Sequence, residues 1–249
     1  MSILSLLLFA GGSYTFAAKP LTKAEADSAY AREDYARAAA AYEALIDQNG
    51  ASVALYYNLG NAYYRQEKMA KAILNYERAL ILDPADRDIR FNLDMARSKT
   101  VDKIVPESEM FFVTLFRSVS LSMSVGKWAW LAIAMFVLML AGTAVYLLVP
   151  DVRAQKLGFV VGLFALLVCV LANVAAYRQL NHMEHRTGAV IMAPSVVVKS
   201  TPSDSGTDLF ILHEGTRVQV VDDSMRDWCE VRVADGKEGW MLKDKMEVI

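Results

Sequence analysis

Two uncharged stretches constrain this chain more than any other feature. Residues 128–149 (WAWLAIAMFVLMLAGTAVYLLV) and 157–177 (LGFVVGLFALLVCVLANVAAY) contain no Asp, Glu, Lys or Arg, and seven residues separate them. Each reaches the ~20 residues a helix needs to cross the ~30 Å hydrocarbon core of a bilayer. A connection as short as PDVRAQK makes the two an antiparallel hairpin. The long segments before and after it are then forced onto one face of the membrane.

Charge alone does not decide which face. Residues 1–110 hold 13 basic and 15 acidic side chains, residues 111–186 hold 6 and 2, and residues 187–249 hold 7 and 11. Positive charge therefore gathers beside the bilayer, where anionic headgroups attract it. Arg153 and Lys156 favour a cytoplasmic hairpin tip, whereas Lys127, Arg178 and Arg186 lie beyond the outer ends. The N-terminus breaks the tie. Residues 1–18 read as a secretory signal, with an apolar run from Ile3 to Ala10 and small residues at Thr15 and Ala17. No basic residue precedes that run, so an uncleaved anchor is the alternative. The expectation is a membrane protein with both soluble segments outside the cytoplasm. Neither soluble segment is basic enough to suggest nucleic acid.

The soluble part before the hairpin repeats itself. Tyr35-x-x-Ala38-x-x-x-Tyr42-x-x-Leu45 recurs as Met69-x-x-Ala72-x-x-x-Tyr76-x-x-Ala79, an offset of 34 residues. Such a period marks stacked helical pairs. Gly60, inside the helical stretch LYYNLGNAYY, costs roughly 0.5–1 kcal/mol relative to alanine. The cost implies a close approach by another backbone, with Gly60 and Ala72 at the helix crossing and Tyr63 and Tyr76 filling the wider gaps. Tyr56, Tyr63 and Tyr76 are expected in the core. Asp83-Pro84 stops the second helix. The set Tyr56, Leu59, Gly60, Tyr63, Ala72, Tyr76, Ala79 and Pro84 resembles the tetratricopeptide repeat family; the first copy is degenerate, with Ala26 in the place of Gly60. DRDIRFNLDMARSK then reads as a capping helix. A stack this short needs that cap or a partner. The resemblance implies a concave face that binds extended peptides or partner helices. Tyr57, Asn61 and Tyr64, then Asp88, Phe91 and Met95, would line it. Asp27 and Asp88 stand against a basic clamp for a C-terminal carboxylate.

Ahead of the first span, Phe111, Phe112, Leu115, Phe116 and Val119 share one helical face flanked by Arg117 and Lys127. That suits a helix lying at the headgroup boundary. Gly142, Gly158 and Gly162 offer small surfaces for packing, either between the two spans or with another protein's helices.

From Thr187 the period changes to strict alternation, with turn pairs at Glu214-Gly215 and Asp235-Gly236, the latter in a tight hairpin. Val218, Val220, Val231 and Val233 point one way. Cys229 is expected to be buried beside the last two, with Trp228 outward. About 60 residues of short strands suggest a small all-β barrel. The stretch resembles the bacterial SH3 family through Val196 to Ser200, Leu212 to Thr216, Trp228, Asp235-Gly236 and Gly239-Trp240. Such domains bind wall peptides or proteins and are not enzymes.

The chain thus divides into a signal (1–18), a repeat module with its cap (19–100), a linker with a surface helix (101–127), spans at 128–149 and 157–177, and a barrel (187–249). That order, with the DKI…P…FF stretch at Asp102 to Phe112, resembles the BatE proteins of aerotolerance operons. The resemblance implies an adaptor beside membrane proteins with von Willebrand A domains and a MoxR-type ATPase. No nucleophile, metal or phosphate-binding constellation is present in the sequence, and neither enzymatic activity nor a cofactor is expected. Cys169 and Cys229 have no metal spacing, and His213 lacks a group that would make it a base for Cys229. Two functions remain in view: a scaffold acting through its repeats, and a peptidoglycan-binding module acting through its barrel.

Overall fold

The computed structural model describes residues 22–104, 110–184 and 187–249. The expected signal segment, Arg186, the part of the DKI…P…FF stretch at 105–109, and the side chains of Phe112 and Arg117 lie outside the described residues.

Five helices form the N-terminal module: α1 (Lys23–Ala31), α2 (Tyr35–Asn49), α3 (Val53–Arg65), α4 (Met69–Leu82) and α5 (Arg87–Ser98). Four of the five helix starts are capped by a local side chain, and α4, which starts after Lys68, is not. Thr22 and Glu25 make a capping box, and Asp34, Ser52 and Asp86 accept from the first-turn amides of α2, α3 and α5. The turns inside the two repeats are identical. Glu33 and Glu67 both take left-handed backbone (φ 63° and 60°). The amide after each donates back to the helix before it, Asp34 to Ala29 and Lys68 to Tyr63. Ala26, Ala38, Tyr42, Leu59, Ala72, Ile73, Tyr76, Ile89 and Leu93 close one continuous core.

Gly60 is a packing device of a different kind from the one expected. A Cβ there would sit 2.7 Å from Cδ1 and Cε1 of the Tyr76 ring. The close neighbour is thus an aromatic face and not a second backbone. Tyr76 is 1% exposed, so its ring has nowhere to go. Tyr56, expected in the core, is only half-buried, with the Arg78 guanidinium 6.0 Å from its ring centre.

The middle of the chain forms α6 (Phe111–Ser120), α7 (Val125–Leu148) and α8 (Val152–Glu184). Both α7 and α8 are long and apolar enough to cross a membrane. The connection between them shrinks from the seven residues expected to Val149, Pro150 and Asp151, because Asp151 Oδ2 caps the Ala154 amide at 2.9 Å and starts α8 early. The glycines belong to the hairpin itself: a Cβ on Gly142 would lie 2.7 Å from the Gly158 carbonyl oxygen and 2.9 Å from the Gly162 nitrogen. Here backbone does meet backbone. α6 lies against α8, with Arg178 5.0 Å above the Phe116 ring, and Trp128 Nε1 donates to the Ser120 carbonyl at 3.0 Å. Phe111, Leu115 and Val119 stay exposed.

The C-terminal module is one antiparallel sheet of β1 (Gly188–Ile191), β2 (Ser195–Lys199), β3 (Asp208–His213), β4 (Arg217–Asp222), β5 (Trp228–Val233), β6 (Glu238–Leu242) and β7 (Met246–Val248), in the order β3-β2-β6-β5-β4-β1-β7. Ala189, Ile191, Val196, Val198, Leu212, Val218, Cys229, Val231, Val233 and Met241 share a single core, so the sheet wraps around it as an SH3-like domain does. Cys229 points inward as expected and Trp228 is half-exposed. Gly236 supplies the positive φ (84°) of the β5–β6 hairpin. At Gly239 a side chain would meet Val198 Cγ1 at 2.6 Å and the Lys199 carbonyl at 2.9 Å, which explains the glycine before Trp240.

Candidate functional site

The face shared by α1, α3 and α5 gathers the residues expected to bind a partner, and a polar ladder organises it. Tyr42 Oη donates to Asp27 at 2.6 Å, and Asn58 Nδ2 reaches the same oxygen at 3.4 Å. One repeat later, Tyr76 Oη donates to Asn61 at 2.7 Å, and Asn92 Nδ2 reaches the same oxygen at 3.0 Å. Asn92 also donates to the Tyr57 hydroxyl at 2.9 Å, tying α5 to α3. Burial drives the Tyr42 and Tyr76 hydroxyls well above the ordinary tyrosine value, so both remain donors. Burial also pushes the Asp27 carboxyl up, but hydrogen bonds from Lys23 and Tyr42 outweigh it and leave Asp27 below its usual value.

The expected groove residues therefore differ in kind. Tyr57 and Asn61 are half-buried members of the ladder. Tyr64 is half-buried, with Lys99 Nζ 4.3 Å from its ring centre. Phe91, 65% exposed, and Met95, 37% exposed, present bare apolar surface, while Asp88 is exposed in the first turn of α5. Tyr30, stacked edge-on with Tyr35 at 5.2 Å, and Asn92 complete the face without having been singled out in the sequence. The signal was available: the 34-residue offset carries Tyr30 onto Tyr64 and Asn58 onto Asn92.

A second polar centre joins the two soluble modules. Asp102, just after α5, accepts from the His213 amide at 2.8 Å, the Thr216 hydroxyl at 2.6 Å, and contacts His213 Nδ1 at 2.7 Å. Burial pushes the Asp102 carboxyl up, yet these bonds outweigh it and hold it below the usual carboxylate value. Around it, Arg78 donates to Glu247 Oε1 at 2.9 Å and to the Val248 carbonyl at 2.7 Å. Val190 and Ile249 enter the core of the helical module, and Ile104 packs on that of the sheet. The short helical stack is thereby covered by the SH3-like module as well as by α5.

The Cys229 thiol is fully buried, and burial raises its pKa to about 11, far from a thiolate at neutral pH. His213 is engaged by Asp102 instead. Among the described residues no group of three His, Cys, Asp or Glu side chains could hold a metal ion. Trp240, half-exposed on β6, pairs with Lys199 of β2.

Comparison with known families agrees with both modules. Residues 23–87 match the tetratricopeptide repeat model, and residues 194–246 match the bacterial SH3 domain model. No curated protein matches the chain. The chain therefore combines two modules of kinds that typically bind rather than catalyse, joined by two apolar helices that could span a membrane.

Proposed function

We propose that the chain is a membrane-anchored adaptor of the bacterial cell envelope that captures a protein partner on the face of α1, α3 and α5. The observation that carries this reading is the bare Phe91 and Met95 surface beside half-buried Tyr57 and Tyr64 on a rigid ladder. Exposed apolar side chains grouped on a soluble face mark an interaction site. The α7–α8 hairpin anchors the protein, with both modules periplasmic. The partners implied by the BatE resemblance are von Willebrand A-domain membrane proteins and a MoxR-type ATPase system.

The test changes Tyr64 and Phe91 together to alanine in the detergent-solubilised full chain. Asn61 is left alone because it holds the Tyr76 hydroxyl. Aromatic anchors commonly contribute about 2 kcal/mol or more each, so capture of co-purifying proteins should weaken at least about a hundredfold. Undiminished capture would overturn the reading.

A second reading makes the SH3-like module a peptidoglycan binder. It is favoured by an exposed cross-strand patch, Val197 of β2 opposite Ile211 of the edge strand β3, with Leu209 of β3 beside them. Sedimentation of the full chain with purified peptidoglycan, unaffected by the double alanine change, would support it.

A further inference from the structure

A cavity of about 190 Å³ lies where the helical module, the α6–α7 turn, the end of α8 and the SH3-like module come together. Its walls include Arg90 of α5, Arg217 of β4, Glu77 of α4, Leu121 after α6, Gln179 of α8 and Ile249. Gln179 is the unusual member. It is 5% exposed, and among the described residues neither its Nε2 nor its Oε1 has a hydrogen-bond partner. A buried amide left unpaired is costly, so a donor and an acceptor stand ready for a ligand. Glu77 does not oppose an anion there, because its carboxylate is already shared between Arg97 and Arg217. Among the wall side chains, Arg90 and Arg217 carry two positive charges against the single negative charge of Glu77.

The location narrows the ligand. Gln179 follows the uncharged run of α8 by two residues, at the level where that helix would leave the hydrocarbon. Phe111, Leu115 and Val119 of α6 are exposed nearby in sequence to Leu121. The volume is below the ~300–1,000 Å³ of pockets that enclose a whole drug-sized molecule, but it suits a headgroup whose tails remain outside. We infer that this cavity binds the phosphoglycerol headgroup of an anionic phospholipid. Arg90 and Arg217 hold the phosphate, and the Gln179 amide donates to a phosphate oxygen while accepting from a glycerol hydroxyl. The lipid as the source of the phosphoglycerol rests on the reading that α7 and α8 lie in a bilayer; the anion site itself does not.

Binding of three probes to the purified full chain in neutral detergent tests the proposal: a short-chain phosphatidylglycerol, the matching phosphatidylcholine, and free glycerol phosphate. Phosphatidylglycerol should bind at least about tenfold more tightly than phosphatidylcholine, and the Arg90→Ala/Arg217→Ala double variant should lose about tenfold or more, as expected for charge-assisted hydrogen bonds. Gln179→Leu guards against a folding artefact. It removes the unpaired atoms at similar size, so it should melt no lower than the parent while binding phosphatidylglycerol several-fold more weakly. Free glycerol phosphate binding as tightly as the lipid would keep the site and assign its ligand to a soluble source. That outcome stands whether or not the helices span a membrane. Equal binding of the two lipids, or a folded Gln179→Leu variant with unchanged affinity, would overturn the proposal.

Discussion

Asn61 accepts the Tyr76 hydroxyl at 2.7 Å, and Asp27 accepts the Tyr42 hydroxyl at 2.6 Å at the same place one repeat earlier. An amide and a carboxylate thus perform one task, accepting a hydrogen bond from a tyrosine that burial keeps protonated. A second pair of bonds follows the period: Glu43 accepts from Tyr63, and Glu77 from Arg97. What repeats in this module is a set of hydrogen bonds as much as a set of apolar positions.

Asn61→Ala should therefore destabilise the helical module by about 1–3 kcal/mol, because it leaves the buried Tyr76 hydroxyl without an acceptor. Asp27→Asn keeps an acceptor in place and should change stability by less than about 1 kcal/mol. Denaturant melts of the two variants, followed by far-ultraviolet circular dichroism, distinguish them. Equal losses would show that the ladder is incidental.

Gly60→Leu should unfold or severely loosen the repeats, since overpacking costs about 1–3 kcal/mol and occasionally more. Gly60→Ala already places a methyl 2.7 Å from the Tyr76 ring and should lower the melting temperature measurably. Unchanged melting of Gly60→Ala combined with Tyr76→Leu, against a clear loss in Gly60→Ala alone, would identify the ring as the obstacle.

Glu67 sits at φ 60° in the α3–α4 turn, a conformation that costs a residue with a Cβ roughly 1–2 kcal/mol. Part of that is recovered by Glu67→Gly, which should raise stability by several tenths of a kcal/mol despite the greater freedom of glycine in the unfolded chain. A fall in melting temperature would show that the Glu67 side chain has a structural task of its own.

Within the hairpin, Gly142→Leu should separate α7 from α8, because its Cβ would lie 2.7 Å from a backbone oxygen. Gly162→Ala should be tolerated, its Cβ meeting nothing closer than 3.6 Å. Cross-linking of cysteine pairs placed across α7 and α8 reads the difference. Orientation is tested separately by a reporter active only outside the cytoplasm, which should work after Ile249 and stay silent at Ala154.

The Asp102 carboxylate gives the module junction a defined response to acid. Its folded pKa lies below the ordinary value, so its contribution is fully present above about pH 5 and is lost as pH falls through the folded value, below the ~3.9 of an unfolded aspartate. Protease accessibility of the 101–104 segment should rise in that acid range for the parent. Asp102→Asn should show raised accessibility already at neutral pH and a weaker acid step.

The elements were legible where the signal is periodic. The 34-residue offset located the repeat helices α1 to α4, amphipathic spacing after Pro84 located α5, charge-free length located α7 and α8, and alternation from Thr187 located the strands. The helix ends around the hairpin were less so, because VRAQK and RQLNHME are good helical sequences that carry α8 past its apolar run. The reason for Gly60 was half legible: a close neighbour was certain, but sequence spacing does not distinguish a ring from a backbone. The junction was not legible at all. Asp102 finds partners 111 and 114 residues away, and no local pattern announces a bond of that range.

That range has a consequence during synthesis. Arg78 waits for Glu247 and Val248, which lie 169 and 170 residues downstream. At about 5–20 residues per second, the delay is roughly 10–30 s. Throughout that interval α4 displays Ile73 and Arg78 uncovered, while α7 and α8 are still being made. The helical module is thus translated well before the strands that complete it, and a nascent chain stopped ahead of residue 187 carries an open flank for chaperones to guard.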